Sequence, residues 1–177
     1  MRLTFVRHAE KGKVGEDPFL TKKGVKQAKH LAKRLKKERF DEFYCSNLNR
    51  SKQTAEIISK KIGLKPKIEK ALNEFQVEVL KKSKNKWTKE ERSHYNSLIK
   101  FLKKITKNPK IGKDILISGH GITNRIILAF FMDFGLKNSI RFTQKEATIN
   151  TIYWPKKYTN WRLDFWNDDH HVPNRLK

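Results

Sequence analysis

The chain has 177 residues and a formal net charge of +23, from 41 Lys and Arg against 18 Asp and Glu. A length near the ~150 residues typical of a domain can bury its own core, and the single cysteine, Cys45 in the apolar stretch FDEFYC, has no partner for an intramolecular bridge. No apolar run approaches the ~18 residues that span a bilayer, and MRLTFVRHAE meets charge too early for a secretory signal, so the composition points to a soluble cytoplasmic protein with no membrane role.

Leu3 to Val6 has the length and character of a buried strand. Residues 21–37 read as a helix: Thr21 can cap it, Val25, Ala28, Ala32 and Leu35 share one face, and Lys22, Lys26, Lys29, Lys33 and Lys36 form a solvated stripe. Phe40 to Cys45 reads as a second strand. Asn47 or Asn49 can cap the next helix, which carries Ala55, Ile58 and Ile62 inward and stops at Gly63. Residues 64–72 read as extended, and the basic stretch 75–87 is ambiguous. Thr88 and Glu91 form a capping-box pattern, opening a helix to about Lys107 with Tyr95, Leu98, Leu102 and Ile105 on one side. Asp114 to Ser118 is a third buried strand, followed by an apolar helix from Ile122 to about Met132. Ala147 to Trp154 and Trp161 to Trp166 read as two late strands. No repeat or linker divides the chain, so residues 1–177 form one domain. The order predicts an α/β three-layer sandwich, with helices on both faces of a mostly parallel central sheet. The short link between the late strands makes one of them antiparallel, at an edge.

Open α/β sheets bind ligands beyond the carboxyl ends of their strands. After the first strand comes Arg7-His8, after the second Ser46-Asn47-Leu48-Asn49-Arg50, and after the third Gly119-His120-Gly121. If the three strands are parallel, two histidines and two arginines collect on one rim with two helix N-termini. Guanidinium forks, imidazoles and helix starts together suit a phosphate group. Each residue alone has a plain structural reading; the coincidence at three strand ends is what weakens it.

The same residues resemble the motifs of a known family. R-H-A-E at 7–10 resembles the R-H-G-E of the histidine phosphatase superfamily, which includes cofactor-dependent phosphoglycerate mutase. Leu20-Thr21 with Gly24, Gln27 and Ala28 is similar to its L-T-x-x-G-x-x-Q-A segment, and Ser46 to Arg50 with Gln53-Thr54-Ala55-Glu56 to its S-x-L-x-R-x-x-Q-T-A-E block. Leu72-Asn73-Glu74 and Ser118-Gly119-His120-Gly121 match two further motifs, all in family order. The resemblance implies that His8 is a phosphorylated nucleophile, that Arg7, Arg50, His120 and the Gly121 segment bind the phosphoryl group, and that Glu74 is the proton donor. It implies no metal and no cofactor, because fixed positive charge can stabilise the transferring group. Ala9 replaces the family glycine and fits if its φ is negative. Val14 replaces an asparagine of the mutase-like branch; Lys11 or Lys13 are conceivable substitutes. Glu78 is a second candidate for the acid. The short, lysine-rich stretch 75–95 favours a phosphatase over a mutase.

The partner expected is a phosphorylated small molecule or phosphoprotein. The charge also fits a polyanion such as nucleic acid, or a lysine-rich composition without functional content. A basic nucleic-acid-binding protein is therefore the rival from another class. Asn167 to His171 reads as a polar tail rather than a metal cluster, His30 and His94 as solvent-facing, and the four tryptophans mainly as core or strand-pair residues.

Overall fold

The structure is a computed structural model that describes residues 1–109, 112–157 and 159–177. Its strands are β1 (Arg2–Arg7), β2 (Glu42–Cys45), β3 (Lys67–Ile68), β4 (Asp114–Gly119), β5 (Ile149–Tyr153) and β6 (Arg162–Asp168). The helices are α1 (Lys22–Leu35), α2 (Asn49–Ile62), the short α3 (Glu78–Lys81), α4 (Lys89–Ile105) and α5 (Gly121–Phe131). The sheet order is β3-β2-β4-β1-β5-β6. β1, β2, β3 and β4 run parallel, while β5 pairs antiparallel with both β1 and β6.

Alternation along the strands builds a core on each face. Leu3, Phe5, Ile115 and Ile117 pack with Leu98, Phe101 and Leu102 of α4 and Ile126 and Ile127 of α5. Val6, Phe43, Cys45 and Leu116 pack on the other face with Ala28, Leu31 and Ala32 of α1 and Ala55 and Ile58 of α2. The expected three layers are present, and Cys45 is buried with its thiol pKa pushed up to about 11 by burial.

Local signals decide several boundaries. The Thr21 side chain accepts from the Gly24 N–H at the start of α1, and Gly63 closes α2 with φ 77°. Both halves of the Thr88–Glu91 capping box are formed. Others differ from expectation. The antiparallel strand is not at the edge: β5 lies between β1 and β6, and Ile149 to Ile152 are buried as an interior strand requires. Neither Asn47 nor Asn49 caps α2. Asp17, from the loop before α1, instead reaches its first turn, and both carboxylate oxygens accept from the Asn49 N–H at 2.9 Å. Residues 64–72 hold only the two-residue β3 before a 3₁₀ turn over 70–72. His94 does not face solvent as expected: it is half-buried and stacks on Phe75, from the segment before α3, with ring centroids 3.8 Å apart. Nor is 167–171 a loose tail. Asn167 and Asp168 belong to β6, Asp169 pairs with Lys145 and Lys177, and a His171 ring nitrogen contacts the Ala147 carbonyl.

Candidate active site

Because β1, β2 and β4 are parallel neighbours, their carboxyl ends lie side by side: Arg7 is in register with Gly119, and Cys45 with Ser118. The chain leaving each strand therefore delivers its polar residues to one rim. The His8 backbone is held from both sides, its N–H donating to Gly119 O at 3.0 Å and its carbonyl accepting from the Ala147 N–H at 3.2 Å. Ala147 adopts φ 55° to make that contact, while Ala9 avoids the left-handed region and is fully buried.

His8 is 2% exposed. Its Nδ1 lies 2.8 Å from Ala9 O. A carbonyl can only accept, so Nδ1 carries the proton and Nε2 keeps its lone pair. Nε2 faces Arg50, whose Nε–H donates to it at 3.3 Å. Burial, with the charges of Arg7 and Arg50, lowers the His8 pKa to about 3, so the ring is neutral at physiological pH.

His120 is its neighbour, with ring centroids 5.1 Å apart. Its Nε2 lies 2.7 Å from Ser46 Oγ. That hydroxyl gives its single proton to Asn73 Oδ1, which also accepts from the Asn47 N–H, and it accepts from the Leu48 N–H. Nε2 of His120 must therefore be the donor. Its Nδ1 is buried and without a hydrogen-bond partner among the described residues. Burial first, then the nearby charges, puts its pKa well below the ordinary histidine value.

Arg50 is buried at the start of α2 and its Nη1 lies 3.4 Å from Asp17. Arg7 is half-buried; its guanidinium donates to Gln144 O and lies 3.8 Å from Glu146. Glu74 comes from the segment after β3. Its Oε1 accepts from the Ile122 and Thr123 N–H groups at 3.1 and 3.2 Å and from the Thr123 hydroxyl, so it caps α5. Burial nonetheless raises its pKa. The N–H of Gly121 opens the same helix and has no intrahelical acceptor.

The structure thus brings Arg7, His8, Arg50, Glu74, His120 and Gly121 to one place. It leaves Glu78 exposed on α3 beside Lys81. Val14 is 89% exposed in the loop after β1, and Lys11 and Lys13 are exposed as well. Asp17, Ser46 and Asn73 enter the site without having been assigned a role from sequence. Ser46 and Asn73 stood inside the quoted motifs, which was the available signal; Asp17 had none.

The remaining motif residues hold the His8 loop. Ala9 N–H donates to Thr54, Glu10 N–H to Gln27, and Leu20 N–H to Gln53. Gly24 lets that loop touch α1: a Cβ there would sit 2.0 Å from Glu10 O. A sequence model of the histidine phosphatase superfamily (branch 1) matches residues 3–104. The chain belongs to the histidine phosphatase superfamily. The matched span holds Arg7, His8, Arg50 and Glu74, and His120 and Gly121 reach this superfamily member's site from beyond it.

Solved structures agree on the fold. A mycobacterial hydrolase is 18% identical with a TM-score of 0.79, covering 99% of this chain and 94% of that one. A phosphoserine phosphatase from Entamoeba histolytica, in complex with phosphoserine, is 19% identical with a TM-score of 0.74, covering 97% and 99%. An alpha-ribazole phosphatase from Shigella flexneri is 20% identical with a TM-score of 0.74, covering 96% and 97%. No curated protein matches the chain. No described helix is long and apolar enough to cross a membrane.

His8, Glu74 and His120 each bring one ligand atom within 4.8 Å of the others. Two histidines and a carboxylate are a set that Zn²⁺ accepts. Here Arg50 already donates to His8 Nε2, and a dication would meet the Arg7 and Arg50 charges at short range. The arrangement suits an anion better than a cation.

Proposed function

We propose that this protein is a metal-independent phosphomonoesterase that works through a phosphohistidine on His8. The observation that carries the reading is the His8 ring itself: Nδ1 donates to Ala9 O, Nε2 is unprotonated, and the pKa of about 3 keeps it so. A neutral imidazole fixed in one tautomer is a competent nucleophile.

In this reading Arg7, Arg50, His120 and the Gly121 N–H hold the phosphoryl oxygens. Nε2 attacks phosphorus and the P–N bond forms as the P–O bond to the alcohol breaks. Glu74, whose proton affinity is raised by burial, gives its proton to the departing oxygen. Water then attacks the phosphohistidine, Glu74 takes back a proton, and phosphate leaves with His8 restored. Fixed guanidinium charge does the work a metal would otherwise do. Residues 1–177 act as one domain, since both cores share the one sheet.

Small phosphate monoesters with a second anionic group are the favoured substrates. Lys81, Lys82, Lys84, Lys86 and Lys89 are all exposed on the segment that follows Glu74. Phosphoserine, the ligand bound by one structural neighbour, has this character. Incubation with phosphoserine or a nitrophenyl phosphate in EDTA, followed by alkaline quench and mass spectrometry, tests the mechanism. Phosphate release with a phosphorylated peptide containing His8 is expected. Loss of all turnover in EDTA without a His8 adduct would overturn it, and isomerisation of 3-phosphoglycerate without phosphate release would make the enzyme a mutase.

A further inference from the structure

The N-termini of α1 and α2 point at the catalytic rim, through Gly24 against Glu10 and Arg50 against His8. Their carboxyl halves lie at the other end of that layer, where a groove of about 620 Å³ runs between them. Lys29, Lys33 and Lys36 of the α1 stripe line one wall, at spacings i, i+4 and i+7, a row of roughly 10 Å on an ideal helix. Lys60 and Lys61 at the end of α2 line the other, and the floor is apolar, from Ala32 and Ile57.

No carboxylate lines this groove, and none of the five lysines forms an ion pair among the described residues. Several of the scarce acids are engaged elsewhere: Glu38 with Arg2 and Arg34, Glu42 with Lys113, Asp169 with Lys145 and Lys177. Complementing the helix dipole gives a reason for Lys33, Lys60 and Lys61, which sit in last turns, but not for Lys29.

We infer that this groove is a docking site for an acidic amphipathic helix of a partner protein, independent of the catalytic site. Lysine walls spaced along a helix face match Glu or Asp at i, i+4 and i+7, and the apolar floor accepts the partner's aliphatic side chains. Nucleic acid fits less well. The groove has no aromatic side chain for base stacking and no arginine for a bidentate phosphate contact.

The probe is a labelled synthetic helix with a leucine stripe flanked by glutamates, compared with its Glu→Gln version and with a single-stranded oligoribonucleotide. Anisotropy measures binding to the full chain at low salt, and ¹⁵N–¹H shifts locate it. Binding of the acidic peptide is expected, with shifts confined to the α1–α2 groove. A K29Q/K33Q/K60Q/K61Q variant is expected to bind about tenfold more weakly. Its hydrolysis of nitrophenyl phosphate stays as in the wild type and its thermal midpoint shifts by at most a few degrees, because all four side chains are exposed and three of them supply only helix-end charge, at the ends of α1 and α2 away from the catalytic rim. Failure of the peptide to bind, equal binding to the variant, or occupancy of the groove by the oligonucleotide alone overturns the inference.

Discussion

The carboxyl ends of β1 and β4 lie next to each other in register, and each releases a buried histidine into the same site. Their rings are fixed in opposite senses. At the end of β1, His8 spends its Nδ1 proton on its neighbour's carbonyl and presents a bare Nε2 to Arg50. At the end of β4, His120 spends its Nε2 proton on Ser46 and keeps Nδ1 without a partner. Burial makes both rings neutral. What separates them is the acceptor that each ring proton meets. The main chain itself pins His8, whereas a side-chain relay through Ser46 and Asn73 pins His120. The first arrangement suits a group that must present one lone pair without rotating. The second suits a group that takes up a proton when an anion arrives beside it.

Substitution should separate the two ends most strongly. His8→Ala is expected to lower kcat/KM by at least ~10⁴-fold and to abolish the trapped phosphoenzyme. His120→Ala should cost ~10²–10³-fold and still leave a slowly forming adduct. An adduct that survives in His8→Ala would invert the assignment. Glu74→Gln comes next. As a proton donor, its loss should slow an alkyl phosphate by ~10³-fold but a nitrophenyl ester, whose leaving group needs little help, by only ~10-fold. An equal loss on both substrates would reduce Glu74 to a cap of α5. Ser46→Ala should cost ~10-fold and move the His120 proton, seen as altered ring ¹⁵N shifts, while those of His8 stay put.

The smallest effect is on stability. The His8 pKa falls from 6.5 to about 3 on folding. Between those values the unfolded chain binds the extra proton, so stability drops as pH falls through that window. Denaturation midpoints at about pH 7 and about pH 4.5 should differ less in His8→Gln than in the wild type.

Much of this was legible beforehand for a physical reason. Buried parallel strands are continuous apolar runs, and their ends must turn at polar residues, so Leu3–Val6 and Asp114–Ser118 announced both histidines. The Thr88–Glu91 cap is a local pattern and formed as read. What sequence hid depended on contacts distant along the chain. Asp17 meets Asn49 across 32 residues, and nothing in either segment marks the meeting. β5 becomes an interior strand only because β6 covers its far side. His94 sits among charged residues and looks solvent-facing until Phe75 arrives beneath it.

The clamp on the His8 main chain reaches beyond chemistry. With its N–H bonded to Gly119 O and its carbonyl to the Ala147 N–H, His8 carries the pairing of β1 one residue past the end of the strand. Its buried, hydrogen-bonded amide should exchange with solvent deuterium far more slowly than that of Val14 in the exposed loop after β1. If His8 carries the phosphoryl group as proposed, its amide would report the opening of the end of β1, and each turnover would place an anion beside a backbone held from both sides.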